Sequence, residues 1–148
     1  MKGVTSLYFV FNQKVHIKGF KFTKKAKAYQ GLYAGECNQI YGDSYRVNGK
    51  AIEDIGNNVT LVFDHMDFGP NPPSGITLCW RSIIDKNSIQ LLPQDEKEEQ
   101  KEIIEVQHSK DYCEETFTPN LGFTGAKTLS LVFLPGTKLD LNWIKFNP

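Results

Sequence analysis

The chain has 148 residues, one domain's worth, with 40% hydrophobic residues and 17 basic against 17 acidic side chains. This composition supports a core and excludes a disordered tail, and zero net charge excludes a polybasic nucleic-acid binder. No apolar run approaches the ~20 residues of a membrane span, so no membrane partner is expected.

In chain order, strand signals dominate. Ser6–Phe11 is a dense aromatic and β-branched run, and His16–Phe22 follows after a short loop. The apolar stretch is too short for a signal peptide, so the expectation is a cytoplasmic chain or, as part of a longer one, a secreted piece. Lys21, Lys24, Lys25 and Lys27 form a basic cluster, read as a lysine-guarded edge strand. Val59–Phe63 follows the turn Gly56-Asn57-Asn58. Ile76–Trp80 alternates Ile, Leu and Trp inward with Thr and Cys outward. Ser88–Leu92, Glu102–Gln107, Glu114–Thr118, Thr128–Leu134 and Leu139–Phe146 complete the series, with Gly42-Asp43, Asn48-Gly49, Asp85-Lys86-Asn87 and Pro135-Gly136 among the turns between them. The acidic run Gln94 to Glu102 reads as a hairpin tip in water, with a helical turn the most that Asp95–Glu105 supports. Short strands at this spacing predict an all-β sandwich or jelly roll.

The first strands echo the last. Ser6–Phe11 and His16–Phe22 follow the plan of Thr128–Phe133 and Asp140–Phe146. Two readings stand: residues 1–20 are the tail of an upstream module, with the domain proper at 21–148, or two strand-rich segments simply look alike.

Catalytic signatures are missing. There is no Gly-rich phosphate loop and no GxSxG elbow. His16, His65 and His108 lack metal-ligand spacing, and Asp64-His65-Met66-Asp67 reads as an ordinary strand exit. Cys37, Cys79 and Cys113 have no zinc spacing and read as core or half-exposed thiols. Recognition of a sugar remains: a flat ring matches the C–H face of a pyranose, and polar groups beside it meet the hydroxyls. Tyr41 and Tyr45 flank Gly42-Asp43-Ser44, and Tyr112 stands in the predicted loop from Ser109. Trp80 and Trp143 are expected in the core.

Leu134-Pro135-Gly136-Thr137-Lys138-Leu139-Asp140-Leu141-Asn142-Trp143-Ile144-Lys145-Phe146 resembles the closing segment of family 6 carbohydrate-binding modules, which are galactose-binding-like jelly rolls. Ile40–Tyr45, Ile55–Val59, Met66–Gly69 and Arg81–Ile89 resemble a module found C-terminal in glycoside hydrolase family 2 enzymes of the β-galactosidase type. The resemblance implies a non-catalytic β-jelly-roll module that binds an oligo- or polysaccharide beside the catalytic domain of a parent enzyme. The implied cleft lies among loops at one end of the sandwich. Tyr112 falls near the place of one stacking ring and Asp140 at the place of the ligand Asn, with Glu53 and Asp54 where the other ring is expected. Tyr41 and Tyr45 are substitutes if their loop folds over the same end. The alternative is a structural or oligomerisation module with no sugar of its own. No cofactor is expected: the resemblance implies a structural calcium site, but Lys24-Lys25-Ala26-Lys27-Ala28 and Asn142 stand at the implied ligand positions, and a hard dication wants carboxylate oxygens.

Overall fold

The computed structural model describes residues 6, 8–20, 26–94 and 101–148. The strands are β1 (Leu32–Tyr33), β2 (Gln39–Tyr41), β3 (Arg46–Asn48), β4 (Ala51–Ile55), β5 (Thr60–Asp67), β6 (Gly75–Gln94), β7 (Glu102–Phe117), β8 (Ala126–Phe133) and β9 (Leu139–Asn147). All pairings are antiparallel, in the order β2-β5-β8-β6-β9-β4-β3, with β7 also on β6 and β1 also on β9.

The sheet curls over itself along β6. The first half of β6, Gly75 to Arg81, pairs with β9, and its second half, Ile89 to Gln94, pairs with β8. β7 follows β6 through both halves, with register breaks around Ser82. The result is two layers joined at a bend, the β-sandwich jelly roll that the strand spacing predicts. Apolar side chains from both layers meet between them, among them Phe63, Leu78, Ile89, Leu131, Phe133 and Ile144. Phe68, Phe123 and Phe146 close one end edge to face, with ring centroids 4.7–6.1 Å apart.

Several expectations change. Asp85-Lys86-Asn87 does not reverse the chain. It lies inside β6, so Ile76–Trp80 and Ser88–Leu92 are one bent strand. Glu102–Gln107 and Glu114–Thr118 likewise merge into β7, which places Tyr112 within a strand and not in a loop. Asn87 is buried at this bend, where its amide donates to Ser82 Oγ at 2.9 Å and accepts the Lys138 N–H at 2.8 Å. Turn chemistry here serves as a buried polar pin, because a buried bulge needs partners for its backbone.

Trp80 is in the core as expected, but Trp143 is half-buried on the outer surface opposite Tyr33. A register break between Cys79 and Trp80 shifts its phase. Cys79 faces outward with Thr77 yet is covered, and all three cysteines are free thiols. Burial pushes the Cys37 and Cys79 thiols up from their ordinary values. Asp64–Asp67 is the exit of β5, with Met66 in the core.

Residue 6 and residues 8–20 carry no strand, contrary to the reading of Ser6–Phe11 and His16–Phe22, and they are exposed. Lys21, Lys24 and Lys25 lie outside the described residues, as does most of the expected acidic tip and its helical turn, at 95–100.

Candidate carbohydrate-binding cleft

One row of side chains crosses the outer surface of the β3-β4-β9-β6-β7 layer near its loop end. In strand order it runs Arg46, Glu53, Asp140, Arg81, Tyr112. The tight turn at Gly49 sets the β3–β4 register and places Arg46 opposite Glu53. Asp140 pairs with Arg81 across β9 and β6. A register shift between Ile52 and Ile55 forms a bulge in β4, and Asp54 sits there at φ +54°. In a regular strand Glu53 and Asp54 point to opposite faces; the bulge turns both toward Arg46.

The row is closely paired. Arg46 donates to Glu53 at 2.6 Å and to Asp54 at 3.2 Å. Arg81 donates through Nε to Asp140 at 2.6 Å and through Nη2 to Glu53 at 3.3 Å. The second Asp140 oxygen accepts the Asp54 backbone N–H at 2.7 Å. Glu53 is buried between two guanidinium groups, which offset the cost of removing its charge from water. The hydrogen bond to Asp140 pushes the Arg81 pKa further up, so this guanidinium stays charged.

Tyr112 is half-buried in β7. The Arg81 guanidinium lies over its ring, 4.7 Å from the centroid. Its hydroxyl is buried with no hydrogen-bond partner among the described residues. Burial is the largest influence on the phenol and pushes its pKa up, while the Arg81 charge pulls the other way.

Beside this row opens a cleft of about 220 Å³. Asp54, Arg81, Asp140, Ser109, Lys110 and Lys138 line it, together with the apolar Ile83 and Leu139. The bend of β6 and the strand-entry loop at Lys138 shape its floor. They are tied by Ser82 Oγ, which donates to the Lys138 carbonyl at 2.6 Å.

The structure thus brings Glu53, Asp54, Asp140 and Tyr112 to one neighbourhood. Tyr41 and Tyr45 do not line the cleft. Tyr41 is exposed at the end of β2 and donates to the Gln39 side chain. Tyr45 packs against the core. Their loop is tied to Gly56, whose N–H donates to the Ser44 carbonyl at 2.8 Å.

Arg46, Arg81, Lys110 and Lys138 were missed by the sequence reading. Arg81 was within reach, since it continues the outward phase of Thr77 and Cys79. So was Arg46, through the Asn48-Gly49 turn. The lysines carry no local signal, because the bend of β6 assembles their cleft. Among the described residues no three His, Cys, Asp or Glu side chains gather as a metal site. Of the implied calcium positions, Lys24 and Lys25 lie outside the described residues, Lys27 donates to the Asp64 carbonyl at 2.5 Å, and Asn142 lies in β9.

No family model matches the sequence, and no curated protein matches it. The fold does match solved structures. It is similar to a family 6 carbohydrate-binding module from Clostridium stercorarium, solved with cellobiose, at TM-score 0.69 and 20% identity over 81% of this chain and 94% of that one. A family 6 module from Clostridium cellulolyticum, solved with xylose, gives TM-score 0.69 and 20% identity over 82% and 98%. A glycoside hydrolase family 43 arabinoxylan arabinofuranohydrolase from Bacillus subtilis gives TM-score 0.66 and 14% identity, covering 87% of this chain and 29% of that larger one. At these identities the likeness establishes the β-sandwich jelly roll and not the ligand.

Proposed function

We propose that this chain is a non-catalytic carbohydrate-binding module that takes an oligo- or polysaccharide at the cleft beside Arg81 and Asp140. The observation that carries this reading is an open, polar-walled cleft at the loop end of a jelly roll whose structural neighbours are carbohydrate-binding modules. Catalysis has little to work with here. Glu53 and Asp140 are held as ion pairs by arginines, which suits positioning and not proton transfer. The parent is a glycoside hydrolase of the family 2 β-galactosidase type, and its catalytic domain is the module's covalent partner. The sequence phrases around Tyr41, Gly56 and Arg81 support that context. Binding is weak, because a shallow cleft immobilises few sugar hydroxyls. Calorimetry of the chain against cello-, xylo- and galacto-oligosaccharides tests the reading. Heat of binding that Asp140→Ala abolishes supports it, and silence across all three removes it.

A structural role is the second reading, and one observation favours it: the stacking face of Tyr112 is occupied by Arg81. Under it, the parent enzyme changes its oligomeric state or thermal stability when the module is deleted, with no change in polysaccharide retention.

Residues 1–20 we assign to the end of a preceding module. The support is the exposed aromatic and aliphatic side chains among residues 8–20, set at the spacing of β8 and β9.

A further inference from the structure

The proposed sugar site has an unusual balance of free groups, and this deepens the reading above, on which it rests. A neutral sugar hydroxyl both donates and accepts, so a site for it needs free acceptors as well as donors. Here most of the carboxylate oxygens, the main acceptors, already use one of their two acceptor sites within the protein. Both oxygens of Asp140 and both of Glu53 hold partners within the protein, and one oxygen of Asp54 is held by Arg46. One face of the Tyr112 ring lies against Arg81.

Among the charged groups that line the cleft, those left without an ion-pair partner are cationic. Lys110 and Lys138 line the cleft, both are exposed, and neither has a carboxylate within ion-pair distance among the described residues. With Arg81 they place three cations around the cleft against the two carboxylates Asp54 and Asp140, both already paired. We propose that the cleft is specific for an acidic saccharide, and that Lys110 and Lys138 receive its anionic substituent. That substituent is a uronate carboxylate or a sulfate ester. Arg81, fixed by Asp140 and Glu53, presents a rigid guanidinium edge beside it. The internal pairs hold this edge in place, so ordering it costs little when the ligand arrives.

The test titrates the full chain with neutral xylo-oligosaccharides, the same backbone bearing glucuronate branches, sulfated galactan oligosaccharides, and polyglutamate as a bare polyanion. Acidic saccharides are expected to bind about tenfold or more tighter than neutral ones, with affinity falling as salt is raised. Removing both ammonium groups in Lys110→Ala/Lys138→Ala is expected to weaken acidic binding about tenfold, at about threefold for each exposed charge. Acidic binding is expected to fall by more than neutral binding, so that the preference narrows, and Lys14→Ala, which removes a cation far along the chain, changes neither. The uronate and sulfate arms separate the two sources of charge, and preference for either supports the proposal. Equal affinity for neutral and acidic sugars, unmoved by the lysine variant, overturns it and leaves sugar binding standing. Polyglutamate binding as tightly as the acidic sugars also overturns it. Silence to every saccharide removes the underlying sugar-binding reading instead.

Discussion

Residues 6–20 and strands β8–β9 share a pattern and have opposite fates. Apolar residues stand at 129, 131 and 133 and again at 141, 144 and 146, matched by 7, 9 and 11 and by 17, 20 and 22. In β8 and β9 all six are buried. In the N-terminal segment Phe9, Phe11, Ile17 and Phe20 are about half exposed or more, at 50%, 49%, 53% and 64%. Phe9 packs on Phe20 at 5.1 Å and stacks with Phe11 at 6.3 Å, and among the described residues none of these rings belongs to the domain core. The difference is in neighbours. β8 lies between β5 and β6, and β9 between β6 and β4, so each has its backbone paired on both sides and a facing layer to cover it. An alternating pattern specifies which face is apolar; partner strands decide whether that face leaves water.

The largest expected effect tests this contrast directly. Phe133→Ala should cost about 3–5 kcal/mol in denaturant unfolding, through lost burial and a cavity. Its counterpart Phe11→Ala should change stability by less than about 0.5 kcal/mol. A comparable loss at Phe11 would show that the segment belongs to the domain's core.

Next in size is the polar pair at the start of β9. Asp140→Ala strips Arg81 of its closest partner and frees the Asp54 N–H, and should cost about 1–2 kcal/mol, discounted because Arg81 is partly in water. His16→Ala, the matched change in the segment, should leave the unfolding curve in place.

Alkaline titration sharpens the contrast further. Burial raises the phenol pKa of Tyr112 and of Tyr29. A group whose folded pKa is raised contributes stability that is complete below its unfolded value, about 10 for tyrosine, and lost as pH climbs through the folded value. Stability should therefore fall as pH rises past about 10, and Tyr112→Phe should shrink that fall. An unchanged alkaline limb would place the Tyr112 phenol in solvent. The smallest effect is expected from deleting residues 1–20. The melting temperature of the remainder should not move, and a drop would return the segment to this domain.

The outward phase of Thr77, Cys79 and Arg81 and the Asn48-Gly49 turn were readable because both are local. The same reasoning failed at Asp85-Lys86-Asn87. Three polar turn formers look alike whether they end a strand or pin a buried bulge; Asn87 became a pin because Ser82 and Lys138 stand beside it. Ser109-Lys110-Asp111 predicts a loop at Tyr112 for the same reason, and the pairing of Tyr112 with Arg81 depends on where β6 bends. Trp143, whose place within a strand predicts the core, faces out because a register break shifts its phase.

Alternation and turn spacing were enough by themselves to establish an all-β chain and the inward set of most strands, since side-chain direction has a period of two and turns demand particular residues. The bend in β6, the bulge at Asp54 and the row from Arg46 to Tyr112 were decided only in three dimensions. Each depends on pairing between residues far apart in the chain. The local sequence does not specify which strand will lie alongside, or which charges that neighbour will already have neutralised.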